Sequence, residues 1–175
     1  GVELMADPGH LGDWVSDPAA ARRDLKALGM RAESVHLPSA GWNISDPDDA
    51  ARRAAVDADL AGLQQAAEVG ADIVIAHPNG PSETFTVEGR GASLARSRAS
   101  LEEITAAAGR LGLRVALENL PHRHRPRPGS AMADVLMLIE ELGDHVGICL
   151  DAGHSNANGY SAADDARLAG ERLWA

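Results

Sequence analysis

The chain has 175 residues, 45% of them apolar, with a formal charge of −10 and a single cysteine, Cys149. That length suits one domain with enough apolar material for a core. One cysteine excludes an internal disulfide framework, and no apolar run is long enough to span a membrane. The acidic balance and the small stock of one Tyr, one Phe and three Trp argue against a nucleic-acid partner, which calls for positive charge and stacking rings.

In chain order, Gly1 to Met5 predicts a short strand, followed by a loop to Ser16 that holds His10 and Trp14. Asp17-Pro18 is an N-cap and first-turn pair, opening a helix that runs to Leu28 and stops at Gly29. Arg31 to His36 predicts the second strand. After a loop with Trp42 and Asn43, Ser45-Asp46-Pro47 is expected to open a long helix. Its stripe is Val56, Leu60, Leu63 and Ala67, and Gly70 ends it. Asp72 to His77 predicts the third strand. A long polar loop then leads to a helix carrying Leu94, Leu101, Ile104, Ala108 and Leu111. Leu113 to Glu118 predicts the fourth strand, Asn119 to Ser130 a basic, Pro-rich loop, and Ala131 to Leu142 a helix. His145 to Asp151 predicts the fifth strand, with Cys149 as a small core residue and His145 at the far, structural end. A last helix is expected near Ser161.

One pattern recurs. Leu28-Gly29, Val69-Gly70, Leu111-Gly112 and Leu142-Gly143 each close a helix, and the strand that follows ends in His36, His77, Glu118 or Asp151. Alternating strands and helices give a parallel sheet with helices outside. Short turns into the strands and long polar loops out of them place function at one end, as in a (β/α) barrel. The expected fold class is therefore α/β, a partial (β/α)8 barrel of five strands, with residues 1–175 forming a single incomplete domain.

Where neighbouring strand ends converge, Glu118 and Asp151 can grip one divalent cation. The alternative is that both are caps, or that Asp151 pairs with an Arg. Asp151-x-x-His154 sets a carboxylate and an imidazole within one turn of each other, and Gly153 lets the backbone bend between them. Oxygen-rich ligation with one or two imidazoles suits Mn²⁺, Mg²⁺, Co²⁺ or Zn²⁺ without choosing among them. His154, His36 and His77 are each a ligand or a substrate contact, set against the plainer role of a satisfied core or loop histidine. The loop Pro121-His-Arg-His-Arg-Pro-Arg127, with Arg123 and Arg125, reads either as a lip for an anionic substrate or as a solvated surface loop. Trp42 and Trp14 either wall a pocket or plug the barrel mouth.

His36-x-Pro38 with Asn43-Ile44, His77-Pro78, Leu117-Glu118-Asn119 and Gly147-Ile-Cys-Leu-Asp151-x-Gly-His154, in this order, resemble the xylose isomerase-like family of TIM barrels. That family holds sugar and sugar-phosphate isomerases and epimerases as well as endonuclease IV. The resemblance aligns the five strands with the second to sixth of a barrel, which needs about 250 residues and eight strands. It implies a fragment lacking the first and the last two strands, inactive alone, because those last strands supply a metal-binding His and a catalytic Glu. It further implies a cytoplasmic enzyme of carbohydrate metabolism that isomerises or epimerises a sugar, polyol or sugar phosphate through a metal-stabilised enediolate. Glu118 would be catalytic, Glu118, Asp151 and His154 would hold the metal, and His36, His77, His154, Trp42, Arg123 and Arg125 would meet the substrate. The partner is a small carbohydrate, and a homo-oligomer is compatible with it. A second implied activity is a zinc phosphodiesterase acting on abasic DNA. A third reading is a non-catalytic α/β binding domain.

Overall fold

The computed structural model describes residues 1–7, 14–81, 85–122 and 125–175. Five parallel strands, β1 (Val2–Met5), β2 (Ala32–His36), β3 (Ile73–Ala76), β4 (Arg114–Glu118) and β5 (Val146–Cys149), lie side by side in chain order. Helices connect them: α1 (Pro18–Ala27), α2 (Asp49–Val69), α3 (Arg90–Arg110) and α4 (Met132–Ile139). Two further helices, α5 (Ala152–Ala157) and α6 (Ala162–Ala169), follow β5. This is the α/β partial barrel expected from the sequence. None of the described helices is long and apolar enough to cross a membrane.

Three helices stop for the predicted reason. Gly29, Gly70 and Gly112 have φ between 68° and 83°, a left-handed conformation that costs glycine no steric penalty. The fourth, α4, ends at Ile139 with Glu140 as its C-cap, short of the expected Leu142-Gly143 stop. The starts follow less closely. Asp17 caps α1 through its side chain, which accepts from the Ala20 N–H at 2.8 Å. For α2, however, the cap is Asp48, accepting from the Ala51 N–H at 2.8 Å. The helix therefore begins after Ser45-Asp46-Pro47 rather than on it, because Pro47 sits just before the residue whose side chain reaches the first free N–H. Its buried face is also turned relative to the expected stripe, running through Val56, Asp59, Leu63 and Ala66, with Leu60 and Ala67 on its flank.

The main core lies between sheet and helices, built from Val35, Leu37, Val74, Val115, Leu117 and Ile148 against Leu63, Leu101, Ile104, Val135 and Leu138. The other face of the sheet carries a smaller cluster, Ile73, Ile75 and Ala116 with Cys149, covered by Trp174. Trp174 reaches it because Leu173 bridges Ile148 in parallel and the Leu150 N–H donates to the Ala175 carbonyl at 2.8 Å. Residues 173–175 thus run beside β5 as a short parallel segment, too brief to leave a periodic signal in the sequence. Glu33 is exposed and pairs with Arg31 at 3.2 Å. His145 lies at the opposite end from the strand-end cluster and bonds the Thr105 carbonyl at 3.0 Å.

Candidate metal centre

Parallel register brings the strand ends to one level. Ile75 pairs with His36 and Ala116, and Cys149 with Glu118, so the residues closing β2, β3, β4 and β5 share one rim. Glu118 is its centre. Its carboxylate is 5% exposed, with Oε2 at 2.8 Å from His77 Nε2 and 3.5 Å from His36 Nε2. Oε1 faces the other way, 3.3 Å from His154 Nδ1. The rings of His36 and His77 stand against each other with centroids 4.6 Å apart.

Asp151 divides its carboxylate between two tasks. Oδ1 caps α5 by accepting the His154 N–H at 2.7 Å, and Oδ2 lies 3.6 Å from His154 Nε2. The cap reading of Asp151 is therefore observed, with its second oxygen beside the His154 ring. The helix α5 itself was not foreseen.

Two groups have ligand atoms all within 4.8 Å of one another: His36, His77 and Glu118, and Glu118, Asp151 and His154. The fit to a cation is good on the chemistry of these donors. A carboxylate removed from water needs a compensating charge, and among the described residues the ion-pairing groups beside Glu118 are imidazoles. The His36 imidazole is suited to ligation as a neutral ring. Burial, reinforced by His77, holds the His36 imidazole below its ordinary value despite the pull of Glu118, Glu3 and Asp7. The mixed oxygen and nitrogen set matches first-row divalent ions without selecting one.

The rim opens into a cavity of about 490 Å³ lined by His36, Asn43, His77, Asn79, Arg127 and His154, among others. Of the residues expected at a substrate, His36, His77 and His154 are there. Trp42 does not line the cavity; it packs on the main core instead. Arg125 is exposed and also outside the lining, whereas Arg127, two residues on in the same basic loop, forms part of the wall. Arg123 and His10 lie outside the described residues.

Several polar residues around the rim carried no signal in the sequence. Asp7, just past β1, accepts from the Ser39 N–H at 2.8 Å, the Ala40 N–H at 3.2 Å and the Ser39 hydroxyl at 3.1 Å. Burial raises its carboxyl, but these bonds together with His77 outweigh it and hold the group below the ordinary value. Asn79 donates to the Ser39 carbonyl at 3.0 Å, tying the loops after β2 and β3 together. Asn158, at the end of α5, accepts the His122 N–H at 2.8 Å and donates to the Leu120 and Ser130 carbonyls, holding the basic loop at the mouth. Only long-range geometry reveals such contacts.

The chain is similar to several known proteins. A probable endonuclease 4 of Oleidesulfovibrio alaskensis is 33% identical over 122 residues, which is 69% of this chain and 39% of that protein. A crystal structure of a D-tagatose 3-epimerase-like protein superposes with a TM-score of 0.84 at 20% identity, covering 98% of this chain and 62% of the other. A Thermus thermophilus protein soaked with ZnCl2 superposes with a TM-score of 0.70 at 26% identity, over 89% of this chain and 58% of the other. The chain thus spans about two fifths of the curated relative and about three fifths of these structures. The model of the xylose isomerase-like TIM barrel family matches residues 1–174, and the chain belongs to that family.

Proposed function

We propose that residues 1–175 are part of a longer barrel enzyme, and that the intact protein is a divalent-metal-dependent isomerase or epimerase of a sugar, polyol or sugar phosphate. The observation that carries this reading is the meeting of Glu118, Asp151 and His154 on one rim of an open cavity. A divalent cation held there would neutralise the oxygen charge that develops when a proton leaves the carbon beside a carbonyl.

The chain's own groups divide the remaining work. His77 fixes Oε2 of Glu118, leaving Oε1 toward the cavity as the oxygen able to take or return a proton in passing through an enediolate. Asn43 and Asn79 present amides to substrate hydroxyls, and Arg127 offers a cation in the wall for a phosphate or carboxylate. The second acid/base group would come from a strand beyond residue 175.

A second reading, a zinc phosphodiesterase acting on abasic DNA, is favoured by one feature: Glu118 belongs to both ligand groups, as a carboxylate bridging two cations would. The net charge of −10 weighs against it. One experiment separates the two. The intact protein, loaded with Mn²⁺ or Zn²⁺, is incubated with ketoses and their phosphates in D₂O, and in parallel with an abasic duplex. Metal-dependent deuterium uptake at a sugar carbon, lost in Glu118→Gln, is the expected result. Strand cleavage without any exchange would transfer the assignment to the second reading.

A further inference from the structure

Asn119 directly follows Glu118 and is 2% exposed, so each of its polar atoms needs a partner inside the protein. Those partners lie on the segment that carries Asp151 and His154. Its Oδ1 accepts the Asp151 N–H at 2.7 Å. Its Nδ2 donates to the Asp151 carbonyl at 3.0 Å and to Ser155 Oγ at 3.1 Å. Its main-chain carbonyl lies 2.9 Å from His154 Nδ1. The β4–β5 register ends at Glu118 and Cys149, and the Asn119 side chain then supplies one more step of pairing where backbone can no longer do so.

We propose that Asn119 is a positioning residue: it locks the Asp151 backbone and the His154 ring to Glu118 and fixes His154 as the Nδ1–H tautomer. A carbonyl oxygen only accepts, so Nδ1 carries the hydrogen, and in the neutral ring the lone pair is left on Nε2, 3.6 Å from Asp151 Oδ2. His154 therefore presents an acceptor beside a carboxylate. That suits a metal ligand, or an acceptor from a substrate hydroxyl, rather than a donor to one. An imidazole that donates its remote N–H to a carbonyl is also the usual way a ligating ring is aimed. This inference rests on the reading of Glu118, Asp151 and His154 as holding a divalent cation.

The test uses the intact protein as wild type, Asn119→Ala and Ser155→Ala, with His154→Gln to assign resonances. Two readouts are taken: the dissociation constant for Mn²⁺ by calorimetry, and the tautomer of the His154 ring in the metal-free protein by long-range ¹H–¹⁵N NMR. The expected wild-type ring is Nδ1–H. Asn119→Ala should weaken Mn²⁺ binding by about 10–100-fold and mix the two tautomers, while the distant His145 ring stays unchanged. Ser155→Ala, which removes one acceptor of the amide, should weaken binding less and keep the tautomer. An Nε2–H ring in the wild type, or an Asn119→Ala protein with affinity within twofold of wild type and the same tautomer, overturns the proposal. If Asn119→Ala fails to fold, an unchanged Mn²⁺ affinity in Ser155→Ala overturns it. If the wild type binds no divalent ion, the metal reading falls by itself, and the tautomer then decides the role of Asn119.

Discussion

Glu118 is a carboxylate placed where it is a liability to the fold unless something positive joins it. Function and stability should therefore separate at this residue. Glu118→Gln keeps the shape, removes the charge and leaves the hydrogen bond to His77 possible. Divalent affinity is expected to fall by more than the about 100-fold at the upper end of an outer-shell change. The melting temperature of the metal-free variant should equal or exceed that of metal-free wild type, because no buried charge is left unpaired. Calorimetry and thermal unfolding after chelation check the two halves. A variant that loses metal and also melts earlier would mean that Glu118 holds the rim together as a structural group.

Asp59 poses a related problem without a visible function. It lies on the buried face of α2, Oδ1 has no partner among the described residues, and burial with Asp7 nearby pushes its carboxyl well above the ordinary value. A carboxyl that is raised in the folded state keeps its proton there longer than in the unfolded chain. Stability is then lost as pH rises from the unfolded value of 3.8 toward the folded one. Asp59→Asn removes this loss. Urea unfolding should show a gain of about 1–3 kcal/mol near pH 8 that shrinks toward pH 4. A gain independent of pH would refute the titration. Cys149 is raised as well, to about 12, by burial and then by Glu118, Glu3 and Asp151. Its alkylation at pH 8 should be on the order of a thousandfold slower than that of an unperturbed thiol, since only the thiolate reacts.

At the level of elements, the strand ends, the glycine stops of α1, α2 and α3 and the starts of α1 and α6 were legible in the sequence, whereas the start of α2, the end of α4 and the short pieces were not. A glycine after an apolar stripe has one structural use, so Gly70 and Gly112 could be read locally. The stretch Ser45-Asp46-Pro47-Asp48 holds three competing cap residues, and tertiary packing chooses among them. The two ends of that stretch should respond oppositely. Asp48→Ala should cost about 1 kcal/mol by removing the cap of α2. Ser45→Ala should cost nothing or stabilise, because the Ser45 hydroxyl is buried with no partner among the described residues. Denaturant titrations of the two variants decide this, and equal losses would restore Ser45 as part of the helix opening. The same physics explains what was legible at the site. Glu118, Asp151, His36 and His77 lie at or just past strand ends, so periodicity marks them. Arg127 rather than Arg125 faces the cavity, and Trp42 turns to the core, because loop direction is set by remote bonds such as those of Asn158 and Asp7. Helix α5 escaped notice because its six residues are too few to leave a periodic signal.

On the scale of the whole molecule, the sheet shows how a partial barrel manages its surfaces. Its inner face is not bare: Ile75 and Ala116 are fully buried, and Trp174 lies over Gly147, where an added Cβ would meet the ring at 2.4 Å. Arg114 stands over the same ring, 5.4 Å from its centroid. Large exposed apolar side chains among the described residues, such as Leu28, Val87 and Leu168, belong to helix ends, loops and outer helices rather than to this face. The unmet demand is at the edges. Strand β1 pairs only with β2 among the described residues, and residues 173–175 pair on one side with β5, so unpaired backbone N–H and C=O groups remain at both borders. Edges of this kind recruit other strands. Residues 1–175 made alone should therefore self-associate as concentration rises. The intact protein, in which further strands would lie between β1 and residue 175, should not associate through those borders. Light scattering coupled to size exclusion over a concentration series makes the comparison. A strictly monomeric 1–175 at high concentration would show that the borders are already protected, and that the arc of five strands is a finished domain in its own right.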